Sequence, residues 1–417
     1  MPTTSRIALV FVALGLVLAT GGGDRVGSPS PHPDDPALLG GSQWNLTAIG
    51  APSAWRRATG RGVRIAIVDS GIDLAHDDLR SHVVGSTDCI GAAGDPGRCH
   101  GTGGDDDGHG THVAAIAAAV TDNGQGVAGV APDAELLAVR VLADACGDPG
   151  CPAQGAALDV VAGVRWATAH GAEVINLSLG AADDALATPA LGAAIRDAWR
   201  RGVIVVAAAG NRTVTAGLAD LPVVVVTAVD RGFASASYAA GVGGARWALA
   251  APGGEAGDTA RTCRAGGRPV GILSATWDPS QGADRYACLS GTSMAAPHVA
   301  GAAAVLRSMG LSPAATVARL LATARDLGRP GPDRVFGAGL LALDRAVLPT
   351  RLTRTPTAVP VDAAMAAEAA PPVAGTIAPR PQPPPLLPTM LAGSVLSLSG
   401  AAAIMLARHM WAERASA

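Results

Sequence analysis

Apolar runs alternate with helical patterns through the middle of the chain. Four runs have the length and β-branched content of buried strands, and three segments between them have helical spacing of apolar residues. The predicted strands span 63–71, 135–142, 173–180 and 203–211, and the predicted helices span 111–120, 155–170 and 188–201. Such alternation is typical of an α/β domain. We therefore predict a mostly parallel, doubly wound central sheet with helices on both faces, within a domain over residues 42–348.

The N-terminal segment has the pattern of an export signal. Arg6 precedes an apolar run over 7–18, and small residues near Ala19 fit a cleavage site. We predict a signal peptide over 1–19, with an uncleaved anchor as the alternative. Residues 20–41 are rich in Gly, Pro, Ser and Asp and are expected to form a short disordered lead.

The composition changes again after the predicted domain. Residues 349–388 are rich in Pro and Ala, which predicts an extended linker. The uncharged, mainly apolar segment 389–407 is just long enough to span a bilayer, although an amphipathic or sorting tail is the alternative. Basic residues in 408–417 favour a cytoplasmic tail. These segments predict an exported, single-pass protein of the cell membrane, with its large domain on the extracellular side.

The composition argues against nucleic-acid binding and predicts which side chains form the core. The net charge is −3, which gives no basic field for nucleic acid, and aromatic residues make up 3% of the chain. The core must therefore consist of small aliphatic side chains. Export favours three local disulfides among the six cysteines, although the sequence does not fix their connectivity. The near neighbours are Cys89 and Cys99, Cys146 and Cys151, and Cys263 and Cys288.

Four polar residues lie where α/β folds place catalytic groups. Asp69 ends a buried strand, and His109 lies between two glycines before a helix. Ser293 stands where a loop enters a helix, so backbone N–H groups and the helix dipole favour negative charge there. Asn211 ends another buried strand and can donate to a developing oxyanion. Each residue alone could be an ordinary turn or core residue.

The four residues together predict nucleophilic catalysis. Ser293 would be the nucleophile, His109 the general base and Asp69 the group that orients the histidine. We expect His112 to be structural, and the acidic triplet Asp105 to Asp107 is more typical of a solvated loop than of a site. Pro297 is expected in the first turn of its helix, where a missing N–H is tolerated.

The chain order Asp, His, Ser is that of the subtilisin arrangement. From QWNLTAIGAPSAW to GAGLLALDRAV, about 300 residues, the chain resembles the subtilisin-like serine protease family. The motifs that carry the resemblance lie at 43–55, 65–73, 107–114, 126–142, 175–180, 207–211, 249–253, 289–301 and 337–347. The resemblance implies an endopeptidase that acts on polypeptides through an acyl-enzyme and needs no cofactor for its chemistry.

The resemblance also implies substrate-binding and metal-binding residues. Two segments are expected to pair with the substrate backbone as edge strands and to flank the specificity pocket. They comprise Ser178, Leu179 and Gly180, and Ala208, Ala209 and Gly210. A structural calcium ion is expected in the loop before GVAGVAP, although a plain turn is the alternative. Its ligands would be the side chains of Asp78 and Asn123 and the carbonyls of Thr121, Gln125 and Val127. Gln43 lies near, but the family's N-terminal ligand has no clear match.

The chain departs from the family in two places. The segment before Gln43 is short for the usual folding propeptide, so we expect folding without one. The segment 211–222 is short for a region that shapes the primary pocket, and Arg212 there could favour acidic substrate residues. The order of signal, protease, proline-rich spacer and membrane span resembles the mycosins of type VII secretion, which would imply a secretion-system partner.

Two other classes of function remain open on the sequence alone. A zinc site is one, because cysteine and histidine ligands are close together in the sequence. Its candidate ligands are Cys89, Cys99, His100, His109 and His112. Export and disulfide formation count against it. A non-catalytic cell-surface scaffold is the second alternative, although a scaffold needs none of the four polar residues.

Overall fold

A seven-stranded sheet forms the centre of the fold, and all of its paired strands run parallel. The computed structural model describes residues 33–143, 154–179, 188–212, 216–259, 261–278 and 285–349. The strands are β1 Arg64–Asp69, β2 Val83–Asp88, β3 Glu135–Arg140, β4 Val174–Leu177, β5 Ile204–Ala208, β6 Val223–Val229 and β7 Trp247–Pro252. Their order is β2-β3-β1-β4-β5-β6-β7. The predicted fold class is thus confirmed.

The central strands consist almost wholly of buried aliphatic residues. Every residue of β4, β5 and β6 is buried, as expected for strands covered on both faces. Strand β1 lies in the middle, and its Ile65 pairs with Leu136 on one side and with Val174 on the other. The carboxyl ends of β1, β4 and β5 therefore meet at one edge of the sheet, which is where α/β folds build their sites.

Helices cover both faces of the sheet. They are α4 His109–Ala118 and α7 Thr292–Ser308 on one face, and α5 Ala157–Ala169 and α6 Pro189–Arg200 on the other. Small side chains let α7 approach its neighbours closely. A β-carbon on Gly301 would lie 2.7 Å from Cβ of Val130 and 2.8 Å from the carbonyl oxygen of Ala117. The alanine-rich and glycine-containing sequence of α7 is thus a packing requirement.

Shorter elements complete the domain. An antiparallel hairpin, β8 Ile272–Thr276 with β9 Arg285–Leu289, lies directly before α7 in the chain. The remaining helices are α1 Pro36–Leu39, α2 Trp44–Ala48, α3 Ala51–Ala54, α8 Pro313–Thr323 and α9 Leu343–Ala346. Two predicted disulfides form, Cys89–Cys99 and Cys263–Cys288. Cys146 and Cys151 lie outside the described residues.

The end of the expected disordered lead is ordered. Residues 33–41 contain α1, and both Asp35 and Ala37 are buried. The Ala37 N–H donates to the carbonyl of Gly126 at 3.1 Å. Disorder was therefore the wrong prediction for these residues, because a polar composition did not reveal that the segment packs on the loop around Gly126.

The predicted flanking segments fall outside the described residues. These are the signal peptide, the first part of the lead, the linker, the membrane helix and the cytoplasmic tail. Within the part of the chain that the structure describes, no helix combines the length and the apolar character needed to cross a bilayer.

Candidate active site

Asp69 and His109 meet at the carboxyl end of β1. Asp69 is the last residue of β1 and is fully buried, while the His109 side chain is 27% exposed. Asp69 Oδ1 accepts hydrogen bonds from the Ser70 N–H at 2.8 Å and from His109 Nδ1 at 2.7 Å. The second oxygen, Oδ2, is buried without a partner in the described structure. This carboxylate fixes the ring of His109 and leaves Nε2 as the atom available for chemistry.

The glycines beside His109 make room for the protein's own backbone. His109 is the first residue of α4, and Gly108 before it has φ of 99°. A β-carbon on Gly108 would lie 2.5 Å from the Trp277 carbonyl oxygen, and one on Gly110 would lie 2.1 Å from that of Gly71. These glycines thus allow α4 to start close against the loops that contain Gly71 and Trp277.

Asp105 is a buried carboxylate that accepts several hydrogen bonds, a role that the sequence did not predict. Its carboxylate accepts hydrogen bonds from Ser70 Oγ, the Gly108 N–H and both the N–H and Oγ1 of Thr111, at 2.5 to 3.0 Å. It is only 7% exposed. The expectation of a solvated loop is therefore wrong for Asp105, which ties the end of β1 to the start of α4. An Asp in the last residues before a helix was the available signal.

The surroundings of His109 make it a strong base. Burial alone would lower the pKa of His109, but the Asp69 carboxylate overcomes this, and Asp107 and Asp105 add to its effect. Together they raise the pKa of His109 to about 9. Asp107 also accepts a hydrogen bond from the His109 N–H at 3.1 Å, and burial raises the pKa of this carboxyl. The imidazolium form is thus strongly stabilised.

Ser293 is the second residue of α7, in its open first turn. Its backbone N–H belongs to the helix N-terminus, where intrahelical acceptors are lacking. Its Oγ donates to the Ser178 carbonyl oxygen at 3.1 Å. No hydrogen bond joins Ser293 to His109 among the described residues. The Ser293 hydroxyl is therefore bonded to the Ser178 carbonyl and not to His109.

Asn211 follows β5 and is oriented by Thr292. Its Oδ1 accepts from the Thr292 N–H at 3.1 Å and from Thr292 Oγ1 at 3.0 Å. This fixes the amide so that Nδ2 is left free to donate, since the described contacts give it no acceptor. Thr292 was not predicted as a functional residue, although it stands next to Ser293. Arg212 is exposed with φ of 93°, and its preference for acidic residues stays a prediction.

Pro297 lies deeper in α7 than expected. The helix begins at Thr292, so Pro297 is its sixth residue and not part of the first turn. A proline there removes the N–H that would bond to the Ser293 carbonyl four residues earlier. Ser178 Oγ donates to that carbonyl instead, at 2.7 Å. A side chain from another element thus replaces the missing backbone donor.

The predicted substrate-binding strands are not edge strands. Strand β4 pairs with β1 and β5, and β5 pairs with β4 and β6, so both lie inside the sheet. The Gly210 N–H donates to Thr292 Oγ1, and its carbonyl accepts from Ala240. Ser178, Leu179, Ala208 and Ala209 are all buried, and Gly180 lies outside the described residues. The expectation that β4 and β5 are edge strands is therefore wrong, because strand order is not visible in a local sequence pattern. The pairing of Ser178, Leu179 and Gly180, which follow the end of β4, with a substrate backbone stays a prediction.

The zinc alternative is excluded by the partners of its ligands. Cys89 and Cys99 form a disulfide, so neither offers a thiolate. His112 is fully buried, and its Nε2 lies 3.1 Å from the carbonyl oxygens of Ile272 and Ala287. Burial lowers the pKa of His112 to about 3. As predicted, His112 has the contacts of a structural residue, since it holds the β8–β9 hairpin against α4.

The expected calcium loop encloses a buried carboxylate. Asp78 is fully buried and accepts from Asn123 Nδ2 and the Val127 N–H, both at 2.9 Å. Both polar atoms of the Gln43 side chain make hydrogen bonds to the backbone of Ala128. A second buried carboxylate, Asp35, accepts from the N–H of Asp122 in this loop. Burial, with Asp78 and Asp34 adding to it, raises the pKa of Asp35 to about 6.

Comparisons with known proteins agree with this geometry. The subtilase family model matches residues 60–339. Thermitase of Thermoactinomyces vulgaris is 36% identical over 312 residues, which cover 74% of this chain and 94% of thermitase. Subtilisin DY of Bacillus licheniformis is 36% identical over 296 residues, which cover 69% and 91% of the two chains.

A solved structure gives the same result. A protease structure from Pseudoalteromonas arctica superposes with a TM-score of 0.61 at 31% identity, and it covers 76% of this chain and 98% of its own. The chain therefore belongs to the subtilase family and is a serine endopeptidase.

Proposed function

We propose that this endopeptidase cleaves peptide bonds through an Asp69–His109–Ser293 triad and an acyl-enzyme. The observation that carries the proposal is the 2.7 Å hydrogen bond from His109 to the buried Asp69 carboxylate, at the same sheet edge as Ser178, which Ser293 contacts. The pair supplies an oriented base, and the start of α7 supplies a serine in a field that favours negative charge.

The first chemical step begins with a rotation of Ser293. Its Oγ leaves the Ser178 carbonyl and turns toward Nε2 of His109. The oxygen attacks the substrate carbonyl carbon while its proton moves to Nε2. Asp69 does not take this proton, but its charge stabilises the imidazolium. The raised pKa of His109 favours this proton transfer.

Two donors are available for the oxyanion that the attack creates. The Ser293 N–H and Asn211 Nδ2 lack acceptors within the described structure, and Thr292 holds the Asn211 side chain in orientation. Donors that are fixed before the reaction stabilise developing charge without reorganisation. The imidazolium then protonates the departing amine. Water attacks the acyl-enzyme with His109 again as base, which restores Ser293.

Hydrolysis of a protein substrate tests this proposal. The full chain should cleave casein, and both Ser293→Ala and Asp69→Asn should lower kcat by at least about 10⁴-fold. Asn211→Leu should lower kcat by about 10²- to 10³-fold, with little change in KM. Retention of wild-type kcat by the folded Ser293→Ala variant would refute the triad. Near-UV circular dichroism would show that each variant is folded.

A structural calcium ion fits the loop around Asp78. Two buried carboxylates, Asp78 and Asp35, bond to this loop. The carbonyls of Thr121, Gln125 and Val127 accept no hydrogen bond within the described residues. Hard oxygen ligands of this kind suit Ca²⁺. The side chain of Asn123 would complete the set, and Asp35 replaces Gln43 as the N-terminal candidate. Calcium would neutralise the buried charges and take no part in the chemistry.

Chelation tests the calcium site apart from catalysis. Excess EGTA should lower the melting temperature of inactive Ser293→Ala protein, because an ion that binds only the folded chain stabilises it, and its removal leaves the charges of two buried carboxylates without a cation. Added Ca²⁺ should restore it. Asp78→Asn should remove the response to chelator. An identical melting temperature with and without EGTA would contradict the proposal.

We also propose that the protein is exported and held at the outer face of the cell membrane. The support lies in the sequence, namely the signal pattern over 1–19 and the apolar segment 389–407 followed by basic residues. A mycosin-like processing role in type VII secretion is an alternative within this proposal, supported by the same order of segments. Either way the substrate is a polypeptide outside the cell.

A further inference from the structure

The backbone carbonyl of Ser293, the proposed nucleophile, lacks the usual hydrogen bond within the helix. Pro297 stands four residues after Ser293 and has no N–H, so the helix cannot satisfy the Ser293 carbonyl. A buried carbonyl without a partner is costly. Ser178 Oγ donates to it at 2.7 Å, from a loop that follows β4. The backbone of Ser293 is thus tied to the central sheet through one side-chain hydroxyl.

Asn176 determines which way that hydroxyl points. Its Nδ2 lies 2.9 Å from Ser178 Oγ, and both side chains are buried. An amide NH₂ can only donate, so Ser178 Oγ must accept from it and direct its own proton elsewhere. That proton is then available to the Ser293 carbonyl. Asn176 belongs to β4, whose pairing with β1 and β5 holds it rigidly.

Ser178 and Ser293 are joined by two reciprocal bonds. Ser178 Oγ donates to the Ser293 carbonyl, and Ser293 Oγ donates to the Ser178 carbonyl at 3.1 Å. The second bond must break when Ser293 turns toward His109, whereas the first can persist. The first bond therefore holds the backbone of Ser293, and with it the N–H that faces the oxyanion, while the side chain moves.

We infer that Asn176, Ser178 and Pro297 form a positioning relay for Ser293. This inference rests on the proposed function and adds three residues to it. Pro297 frees the Ser293 carbonyl, Ser178 binds it, and Asn176 orients Ser178. None of the three exchanges a proton with substrate. Their effect is to fix the first turn of α7, so that Oγ can rotate without displacing the oxyanion donor.

A double-mutant cycle between Ser178 and Pro297 tests the relay. Ser178→Ala should lower kcat about tenfold, equivalent to about 1.4 kcal/mol, with KM changed less than about twofold. Pro297→Ala supplies the missing helical N–H to the Ser293 carbonyl. In that background Ser178→Ala should therefore lower kcat by less than about threefold. An equal tenfold loss in both backgrounds would overturn the relay, as would a loss that appears in KM alone.

The Asn176→Asp substitution provides a second test, because the Asp side chain has nearly the same shape as that of Asn. A carboxylate accepts the Ser178 proton and diverts it from the Ser293 carbonyl. The variant should lose kcat about as much as Ser178→Ala, and adding Ser178→Ala should cause little further loss. Full activity of folded Asn176→Asp protein would contradict the assigned direction. A wild-type chain that a fluorophosphonate does not label would instead refute the triad itself, so the two failures are distinguishable.

Discussion

The proton affinity of His109 reflects competition between burial and negative charge. Asp69, Asp107 and Asp105 overcome the effect of burial and raise the pKa of His109 to about 9. Only the neutral ring can act as base, so kcat/KM should rise about tenfold per pH unit below that value and level off above it. A pH profile with a small neutral peptide ester would measure this. A profile already flat above pH 6 would contradict the account.

Asp107→Asn isolates one part of this effect. The amide oxygen can still accept from the His109 N–H, but the negative charge is gone. The acidic limb of kcat/KM should therefore move to lower pH. Asp95→Asn is a matched control, because Asp95 is exposed and does not contribute to the pKa of His109. An unmoved limb in Asp107→Asn would show that Asp107 does not act on the base.

Thr292 should act on catalysis through Asn211. Its Oγ1 donates to Asn211 Oδ1 and accepts from the Gly210 N–H. Thr292→Val keeps the shape but removes both bonds, so kcat should fall about tenfold while KM changes little. Thr292→Ser keeps the hydroxyl and should retain most of the activity. Equal activity of the two variants would contradict this positioning role.

At the residue scale, the sequence pointed to the residues proposed for catalysis but not to the residues that orient them. Asp69, His109, Ser293 and Asn211 were predicted from their places beside strands and helices. Asp105, Thr292 and Asp35 were missed, because their importance depends on partners that only folding brings near. Asp35, for example, meets a loop 87 residues away. Local spacing predicts reactive groups, whereas long-range hydrogen bonds decide what orients them.

The helices α4 and α7 each carry a buried neutral histidine. Burial lowers the pKa of His112 to about 3 and that of His298 to about 4. An unfolded histidine has a pKa near 6.5, so the unfolded state gains protons first as pH falls. The contribution of each neutral histidine to the free energy of unfolding is complete above about pH 6.5. It falls by about 1.4 kcal/mol per pH unit as the pH drops toward the pKa of that histidine in the folded state.

A histidine substitution measures this slope. Urea unfolding of the inactive Ser293→Ala protein, between pH 6 and 4.5, should give a falling free energy of unfolding. His298→Gln in that background cannot titrate, and its slope should be shallower by about 1.4 kcal/mol per pH unit. His100→Gln, on the exposed surface, is the control. A slope unchanged by His298→Gln would contradict the burial argument.

At the element scale, the apolar pattern predicted what each segment forms but not its neighbours. The runs that became β1, β3, β4 and β5 were predicted as strands because they are short, aliphatic and bounded by turns. Their order in the sheet depends on crossovers that no local pattern contains, so β4 and β5 were wrongly expected at an edge. Likewise, the sequence did not fix the residue at which α7 starts. The helix starts at Thr292, so Pro297 lies in its second turn and not in the first.

For the whole molecule, the central prediction outside the peptidase domain is membrane retention. Deletion of 386–417 should release active protein into the medium, because the uncharged segment and its basic flank are removed. Fractionation of cells and medium, followed by immunoblotting, would measure this. Deletion of 409–417 alone is the control and should leave the protein in the membrane fraction. Retention of the larger deletion in that fraction would contradict the anchor.

The α/β class of the whole molecule was predictable because strand and helix signals alternate over about 300 residues. The ordered residues 33–41 were not, because the segment is stabilised by packing and by long-range bonds to the loop near Gly126. A polar composition has no signal for such contacts. The fold was thus accessible from sequence, while the attachment of the N-terminal segment was not.

Covalent labelling tests the central claim most directly. The full chain should react with a fluorophosphonate at one site, and peptide mass spectrometry should locate the adduct on Ser293. Ser293→Ala should not be labelled, and His109→Ala should be labelled far more slowly, since the base is lost. Equal labelling of wild type and Ser293→Ala, or an adduct on another residue, would contradict the account.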